Sequence, residues 1–432
     1  MKKKNKDRIS VLTLGCSKNT VDSENLIGII KSAGFNISND FNNTDCLIIN
    51  TCGFIKPAKE ESVQVIAEAT EAKKNGNLKK IIVTGCLAQR YKEELEKQIT
   101  NVDLFTGLNS SKEIIEYLKP DFKKELIGER FLLTPKHYAY LKISEGCNHK
   151  CSFCAIPLIR GKHLSRSKAD ILLEARKLAE KGVKELNIIA QDTTFYGVDT
   201  YGSSQLSDLL KHLSDIDKFE WIRLLYTYPL NFPLEVLDVI NERQNICKYI
   251  DIPLQHVSSR ILKNMKRKMN HGQTSDMIDL IREKISNAAI RSTFIVGFPG
   301  ETDKDFKILF DFIKNKKLDR LGVFTYSREE DTTAYQLGDT VPEAVKIERR
   351  NLLMEEQMSI SLERNKSFIG RKLKVIIDDK NNDGQYIGRT EHDAPEVDNS
   401  VIIHSKRKIP IGSFQNVEIT DGLEYDLFGA IS

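Results

Sequence analysis

Three closely spaced cysteines are the most distinctive chemical feature of this sequence. They lie in the segment EGCNHKCSFCA at residues 145–155 and are Cys147, Cys151 and Cys154. Thiolates are soft ligands that suit iron–sulfur clusters, and three on one loop can hold three irons of a 4Fe-4S cluster and leave the fourth iron open. A zinc site completed by His149 or His163 is the alternative, but zinc loops usually pair two Cys-x2-4-Cys elements and no second pair follows. The spacing therefore favours a cluster.

Three further cysteines end short apolar runs near the N-terminus. The runs cover residues 9–16, 46–52 and 81–86, and the cysteines that end them are Cys16, Cys52 and Cys86. Each run precedes a helical pattern, at residues 21–33, 58–74 and 89–99. This alternation predicts a parallel sheet with right-handed crossovers. Because the carboxyl ends of parallel strands meet at one edge of a sheet, we expect the three cysteines to converge there.

A second alternating series begins near residue 138. Its strand patterns cover residues 138–144, 185–190, 221–228, 249–253, 291–296 and 321–326. Its helical patterns cover residues 168–181, 205–213, 234–241, 275–286 and 303–314. Six such units predict a partial (β/α)6 barrel with its active site at the carboxyl ends of the strands. The loop of Cys147, Cys151 and Cys154 directly follows the first of these strands.

The C-terminal part changes character. A long charged helix is predicted at about residues 342–366, and β-branched runs follow at residues 373–377, 401–404 and 417–420, separated by Asn, Asp and Gly. This pattern predicts a small β-barrel. The fold class is therefore α/β with three domains: an N-terminal parallel α/β sheet domain at residues 7–122, a central barrel at 133–363 and the small β-barrel at 366–432.

Composition limits the class of protein. The chain has 432 residues, of which 40% are hydrophobic and 29% charged, which is typical of a globular chain too long for one core. The basic start is not followed by a signal-peptide core, and no run of about 18 apolar residues suggests a membrane span, so we expect a cytoplasmic protein with no membrane partner. Its eight cysteines should then be reduced, as metal ligands or small buried residues. We assign no role to Cys46 and Cys247.

The cysteine loop resembles that of the radical S-adenosylmethionine (SAM) enzymes, since Phe153 precedes the last cysteine and the loop follows the first strand of a partial barrel. The resemblance implies that the open iron binds the amino and carboxylate groups of SAM. It also implies that an electron from the cluster cleaves the sulfonium to give a 5′-deoxyadenosyl radical. Low cluster potentials, down to about −700 mV, are within the range of thiolate-ligated clusters.

The N-terminal cysteine segments narrow the resemblance to the methylthiotransferases. These segments are TLGCSKNTVDSE at residues 13–24, NTCGFI at 50–55 and TGCLAQR at 84–90. The resemblance implies a second 4Fe-4S cluster on Cys16, Cys52 and Cys86, whose open iron is the docking point for the inserted sulfur. From the residues alone, three separate buried cysteines are the alternative.

Five segments resemble the RimO branch of this family, which methylthiolates the β-carbon of an aspartate in small ribosomal subunit protein twelve. They are GCSKN at residues 15–19, LKISEGC at 141–147, FCAIP at 153–157, IRGK at 159–162 and DAPEVD at 393–398. The tRNA-modifying branches usually read GCQMN and CVVP at the matching places. The resemblance covers residues 7–432 and implies three partners: that ribosomal protein, an external electron donor, and a sulfide or persulfide source. One SAM would supply the methyl group and another the radical.

Charge supports the same branch. Residues 366–432 contain nine Lys plus Arg and eleven Asp plus Glu, and this barrel resembles the TRAM domain, which should be basic if it binds tRNA. We therefore expect an acidic dock for a basic ribosomal protein, separable from both clusters. The basic segment KRK at residues 406–408 argues the other way.

Several residues at the predicted strand ends are candidate cofactor contacts. The resemblance places adenosine and methionine at the segment GFPGE, whose candidates are Gly297, Pro299, Gly300 and Glu301. Phe153, Gln191, Asp192, Gln255 and His256 lie on the same predicted rim. Arg166, together with Arg160 and Arg328, is a candidate partner for the carboxylate of the cofactor or of the substrate. An ordinary loop or surface position is the alternative for each, and His149 is expected to be exposed or to support the cluster loop.

Three functions therefore stay open. A RimO-type protein methylthiotransferase agrees with the motifs, and a tRNA methylthiotransferase would need a basic face around the TRAM barrel. A non-catalytic iron–sulfur electron carrier is disfavoured, because a carrier needs four protein ligands for each cluster and both triads provide three.

Overall fold

The computed structural model describes residues 7–40, 44–120, 122 and 129–431. The chain divides into two compact units, unit 1 with residues 1–133 and 155–162, and unit 2 with residues 134–154 and 163–432. The basic start at residues 1–6 and the last residue, Ser432, lie outside the described residues. The predicted domain limits are finer than this division and stay a prediction.

Unit 1 contains a five-stranded parallel sheet in the order β2-β1-β3-β4-β5. The strands are β1 (Arg8–Thr13), β2 (Asn36–Ile37), β3 (Cys46–Thr51), β4 (Lys80–Gly85) and β5 (Leu104–Phe105). The helices are α1 (Ser17–Ser32), α2 (Lys56–Lys74), α3 (Cys86–Gln98), α4 (Ser111–Leu118) and α5 (Ile156–Arg160). The predicted parallel sheet is confirmed.

The core of unit 1 lies on both faces of this sheet. Ile48 and Ile82 pack on one face and Ile49 and Val83 on the other, each with helical residues. Strands that are buried on both faces read as continuous apolar runs, which is why these strands could be recognised in the sequence.

Unit 2 begins with a six-stranded parallel sheet in the order β6-β9-β10-β11-β12-β13, which is the predicted partial barrel. Its strands, with the small β7-β8 pair, are β6 (Tyr138–Lys142), β7 (Ser144–Glu145), β8 (Leu164–Ser165), β9 (Glu185–Ile189), β10 (Trp221–Leu224), β11 (Ile246–Asp251), β12 (Ala289–Val296) and β13 (Arg320–Thr325). The helices are α6 (Lys168–Glu180), α7 (Val198–Tyr201), α8 (Leu206–Ser214), α9 (Glu235–Glu242), α10 (Ser259–Asn264), α11 (His271–Lys284), α12 (Asp303–Lys316) and α13 (Glu343–Lys366). In the part of the chain that the structure describes, no helix is both long and apolar enough to cross a membrane.

The C-terminal part of unit 2 is a closed five-stranded barrel in the order β14-β15-β16-β18-β17. Its strands are β14 (Lys372–Lys380), β15 (Tyr386–Thr390), β16 (Ser400–His404), β17 (Phe414–Gly422) and β18 (Asp426–Ile431). Val375, Ile403 and Val417 lie in its core. The predicted small β-barrel is confirmed, with two strands, β15 and β18, that the sequence pattern did not predict.

The turn between β15 and β16 packs against the amino ends of the partial-barrel strands. Arg389 donates hydrogen bonds to Glu185 at 2.7 Å and to Asp378 at 2.7 Å. Arg320 donates to Asp393 at 3.0 Å, and Tyr249 donates to Asp398 at 2.5 Å. The DAPEVD segment at residues 393–398 therefore joins the small barrel to the partial barrel.

This packing overturns the predicted acidic dock. Of the charged residues between 366 and 431, eight of the nine cations are exposed but only five of the eleven acids are. Most of the other acids, such as Asp393, bind inward-facing partners. Removal of this domain would take away Arg389, a partner of Glu185, and Asp393, the partner of Arg320, and the predicted separability of the domain from both clusters stays a prediction.

Candidate active site

The three N-terminal cysteines lie at the carboxyl edge of the unit 1 sheet. Cys16 precedes α1, Cys52 follows β3 and Cys86 begins α3. Gly15 has a φ of +90°, and a Cβ at this position would lie 2.8 Å from the Cβ of Cys52. Only glycine therefore allows the ends of β1 and β3 to approach so closely. The structure brings the three cysteine segments together at one edge.

Asn19 connects these strand ends. Its side chain is fully buried, and its Nδ2 donates to the carbonyl oxygens of Leu14, at 2.8 Å, and Thr51, at 3.1 Å. Its Oδ1 lies 3.6 Å from the Sγ of Cys86. Asn19 was not predicted as a site residue, although it lies in the GCSKN segment that carried the family resemblance.

Arg160 lies beside the same triad. Its Nη2 donates to Asn19 Oδ1 at 2.6 Å and to Cys86 Sγ at 3.4 Å, and it pairs with Asp22 at 3.1 Å. Arg160, predicted as a partner for the carboxylate of the cofactor or of the substrate, lies on α5 in unit 1, where Ile159 packs with Cys86, and that role stays a prediction. A guanidinium at this distance stabilises the thiolate form of a cysteine.

Burial opposes ionisation of two of these thiols. Burial raises the pKa of Cys86 to about 12, although the nearby charge of Arg160 lowers it in part. Burial also raises the pKa of Cys52. Because metal ligands must be deprotonated, binding a metal here would release protons.

The second triad lies on the loop after β7 in unit 2, with all three cysteines partly buried. The Sγ of Cys151 lies 3.8 Å from Nη1 of Arg267 and 3.9 Å from the hydroxyl of Tyr228. Burial raises the pKa of Cys147 to about 12. As in the first triad, a buried arginine, here Arg267, lies next to a thiol, here that of Cys151.

Aromatic stacking orders the side chains behind this loop. The rings of His149 and Tyr228 are stacked with centroids 3.5 Å apart, and the Arg267 guanidinium lies 4.2 Å from the Tyr228 centroid. His149 Nε2 is 2.6 Å from Asp192 Oδ2, and Asp192 Oδ1 accepts from the Thr194 amide. His149 thus supports the loop, and Asp192, a predicted cofactor contact, orients His149. Tyr228 and Arg267 were not predicted.

The donors at both sites fit iron–sulfur clusters. Within the described residues, none of the six cysteines forms a disulfide, and each site has three soft thiols with an arginine hydrogen bonded to one of them. Among residues 7–40, 44–120 and 129–431, no three His, Cys, Asp or Glu side chains lie closely enough together to hold a metal ion. The ligand assignment therefore stays a prediction. Cys46 and Cys247 are buried, as predicted; Cys46 lies in β3, and Cys247 lies in β11 rather than just before a strand.

The GFPGE turn after β12 is held by its own glutamate. Gly297 and Gly300 have φ values of +72° and +81°. Glu301 is buried, and its Oε2 accepts from the Gly297 amide at 2.9 Å while its Oε1 accepts from Arg349 of α13 at 2.7 Å. A Cβ on Gly297 would lie 2.3 Å from the Cγ of Lys346. Glu301, a predicted cofactor contact, therefore positions the turn.

Comparison with known proteins assigns the family. The Radical SAM superfamily profile matches residues 141–313, the TRAM domain profile matches 369–431, and the profile described as Uncharacterized protein family UPF0004 matches 8–107. The protein of Cytophaga hutchinsonii named ribosomal protein uS12 methylthiotransferase RimO is 51% identical to this chain over 99% of the chain and 98% of its own length. The chain belongs to the RimO family. It is a radical SAM methylthiotransferase.

Other relatives support the same family assignment. RimO proteins of Chloroherpeton thalassium and Clostridioides difficile are each 47% identical over 98% or more of both chains. The solved structure of the radical SAM methyltransferase TsrM from Kitasatospora setae has a TM-score of 0.54 at 11% identity and covers 87% of this chain and 79% of its own. That likeness shows the fold alone.

The remaining rim candidates of this RimO-family chain are hydrogen bonded to neighbouring elements. Gln191 donates to Glu145 at 2.6 Å, and Glu145 also accepts from Lys142 at 2.6 Å. Gln255 has a φ of +71°, and its backbone forms an isolated parallel β-bridge with that of Phe294. Their roles as cofactor contacts stay predictions.

His256 and Phe153 are largely internal. His256 is fully buried, and its Nδ1 accepts from the amides of Val257 and Ser258. Phe153 packs against the apolar cluster of Met265. Pro299 and Gly300 line a groove of about 640 Å³ with Ser152 of the cysteine loop.

The predicted carboxylate partners in unit 2 already have partners within this RimO-family chain. Arg166 pairs with Glu174 at 2.6 Å and donates to the Lys142 carbonyl oxygen at 2.6 Å. Arg328 lies 4.0 Å from the ring centroid of Tyr335. A cofactor carboxylate at Arg166 would therefore have to displace Glu174 or share the guanidinium with it.

Proposed function

We propose that this methylthiotransferase inserts a methylthio group at the β-carbon of an aspartate in the ribosomal protein uS12. The observation that carries the proposal is the 51% identity to a RimO protein of that name over nearly the whole chain. Of the five segments that resemble the RimO branch, all except DAPEVD lie in or next to the two cysteine sites. A ribosomal substrate places the reaction in the cytoplasm.

The proposal assigns two 4Fe-4S clusters to the two triads. Cys147, Cys151 and Cys154 would hold the cluster that binds SAM, and Cys16, Cys52 and Cys86 would hold the auxiliary cluster. When bound, these groups supply one electron for reductive cleavage of SAM and an open iron for the inserted sulfur. One SAM provides the methyl group and a second provides the radical. The electrons and the sulfide or persulfide come from outside the chain.

The chain's own residues supply charge and position. Arg267 and Arg160 each place a cation beside a thiol and so favour the negative thiolate form. The Glu301–Arg349 pair fixes the turn that would approach the cofactor. Asp192 fixes the ring of His149 behind the cysteine loop. These contacts give the preorganisation that a radical reaction needs to reach one C–H bond.

A tRNA methylthiotransferase is the second candidate. The observation that favours it is the basic exposed surface of the C-terminal barrel, where eight cations face solvent. Exposed cations of this kind can contact phosphates. The full-length identity to RimO proteins favours uS12.

The test is mass spectrometry of both substrates. The anaerobically reconstituted protein should add one methylthio group to uS12, free or in the small ribosomal subunit, and leave tRNA unmodified. Modification of tRNA with uS12 unchanged would overturn the proposal and establish the second candidate.

Iron content tests the cluster assignment. The wild type should hold about eight irons per chain, and replacing either triad by alanine should leave about four. Loss of Cys147, Cys151 and Cys154 should stop SAM cleavage, whereas loss of the N-terminal triad should stop only methylthiolation. The matched control replaces Cys46 and Cys247, which should keep all the iron. A triad variant with full iron content would contradict the ligand assignment.

A further inference from the structure

A strongly basic segment covers most of α10 and the turn after it in unit 2. Residues 260–268, RILKNMKRK, include five cations and no acid. Arg260 pairs with Asp305, and Arg267 is buried. The other three cations, Lys263, Lys266 and Lys268, are exposed, and within the described residues they form no ion pair. These three charges lie within six residues and make a local positive patch that has no ion-pair partner in the part of the chain that the structure describes.

This turn is hydrogen bonded to the cysteine loop. The amide of Ser152 donates to the Met265 carbonyl oxygen at 2.9 Å, and its hydroxyl donates to the Asn264 carbonyl oxygen at 2.8 Å. Arg267 donates to Cys151 Sγ at 3.8 Å. The exposed lysines are therefore the chain neighbours of residues that contact the loop directly.

An apolar feature lies within the patch. Lys263 and Lys266 line the groove of about 640 Å³ together with Ser152, Leu337 and the candidate cofactor contacts Pro299 and Gly300. The Leu337 side chain is 48% exposed. An exposed apolar residue with charged groups around it is typical of protein interfaces. The interfaces of electron-transfer complexes bury a small area.

We propose that Lys263, Lys266 and Lys268 dock an acidic one-electron carrier protein that reduces the cluster on the loop of Cys147, Cys151 and Cys154. In the step it serves, the carrier loses one electron and the cluster gains it, and no bond or proton moves. The inference rests on the cluster assignment above and not on the identity of the substrate. Complementary charge would speed the encounter and orient the carrier.

A nucleic acid is the other class of partner that lysines attract. One observation favours the protein carrier: residues 260–268 contain no aromatic side chain on which a base could stack.

The test compares two charge-reversal variants of the reconstituted full-length protein. One is K263E/K266E/K268E. The matched control, K177E/K211E/K218E, reverses three exposed lysines on α6, on α8 and after α8. The probe is an acidic flavodoxin, titrated at low and high ionic strength. We expect the first variant to bind at least tenfold more weakly than the wild type and to lose most of its salt dependence, and the control to bind as the wild type does.

Reduction of the cluster provides a second measurement. Electron paramagnetic resonance should show that flavodoxin reduces the first variant slowly while dithionite, a small reductant, reduces it as it does the wild type. The neutral variant K263Q/K266Q/K268Q should give a smaller loss of flavodoxin binding and checks that the reversed charges have not disturbed α10.

Equal flavodoxin affinity in the wild type and both lysine variants would overturn the inference, as would absence of flavodoxin binding to the wild type. Loss of RNA or ribosomal-subunit binding with unchanged flavodoxin binding would assign the patch to nucleic acid. Lysine-dependent flavodoxin binding by a protein that does not modify uS12 would support the dock and reject the proposed function.

Discussion

At the scale of single residues, each cysteine triad depends on polar side chains that are not ligands. Asn19 is fully buried and holds the carbonyl oxygens that end β1 and β3, while Arg160 contacts both Asn19 and Cys86. A buried carbonyl that loses its donor costs about 1–3 kcal/mol. The amide of Asn19 therefore sets the spacing of the cysteine segments.

We predict that Asn19→Ala lowers the iron content from about eight towards four per chain, because the auxiliary triad loses its fixed spacing. The free energy of unfolding should fall by about 1–3 kcal/mol. Iron analysis after reconstitution and denaturant titration measure both effects. Asn77→Ala, at an exposed position of the same unit, is the control. If Asn19→Ala retains full iron, the amide does not organise the site.

The same scale shows which site residues a sequence can reveal. Cys147, Cys151 and Cys154 were predictable because their spacing lies within one loop. Arg267 and Tyr228 were not, because they are contributed by loops 116 and 77 residues away from Cys151. The contact between Arg160 and Cys86 could not be predicted, because the short helix of Arg160 is continuous in sequence with the second triad but packs in unit 1.

At the scale of elements, α13 supports the glycine turn after β12. Its Arg349 donates to the buried carboxylate of Glu301 at 2.7 Å and pairs with Asp303 at 2.7 Å. The methylenes of Lys346 fill the space that a side chain at Gly297 would need. A helix predicted only as a charged connection thus fixes a turn about fifty residues earlier in the chain.

We predict that Arg349→Ala weakens SAM binding and lowers the free energy of unfolding by about 3–5 kcal/mol, because it leaves Glu301 as an unpaired buried charge. Equilibrium dialysis with SAM and denaturant titration are the measurements. Arg350→Ala removes a neighbouring guanidinium that donates hydrogen bonds to Asn351 and should behave as the wild type. Equal effects of the two substitutions would contradict the role of α13.

Element boundaries show the same limit of sequence reasoning. The strands of the partial barrel were predictable because apolar runs and helical patterns alternate over many residues. The two-residue strands β2 and β5 are too short to show any period. In β15 and β18, Gly388 and Gly429 interrupt the apolar pattern where neighbouring strands pack too closely for a Cβ.

At the scale of the whole of unit 2, the small barrel is joined to the partial barrel by buried ion pairs. Glu185 is fully buried and accepts from Arg389 and Arg223. These contacts lie at the amino ends of the strands, the face that carries stability in barrels of this type, opposite the cysteine loop. The net charge of the domain could not reveal this, because composition does not distinguish inward from outward acids.

Two glutamates contact the small barrel, Glu185 in a buried ion pair and Glu220 in an exposed one, and their substitutions compare the stability contributed by each kind of pair. Glu185→Gln should lower the free energy of unfolding by about 3–5 kcal/mol, because two buried arginines lose their carboxylate. Glu220 pairs with Lys374 at 2.6 Å, but both side chains are nearly half exposed, so Glu220→Gln should cost about 0–1 kcal/mol. Denaturant titration at neutral pH measures both, and equal losses would contradict a buried network that joins the barrels.

The acid dependence of the same pair gives the sign of the interaction. Burial opposes the charge of Glu185, but Arg389 and Arg223 outweigh it and lower the pKa of that carboxyl. A carboxyl with a lowered folded-state pKa stabilises the protein fully above its unfolded pKa of about 4.3, and this stabilisation disappears as the pH falls through the folded-state value. The stability difference between wild type and Glu185→Gln should therefore be constant from pH 7 to about pH 5 and shrink below about pH 4. A difference that grows on acidification would mean that Glu185 is protonated in the folded protein and that the arginines do not hold its charge.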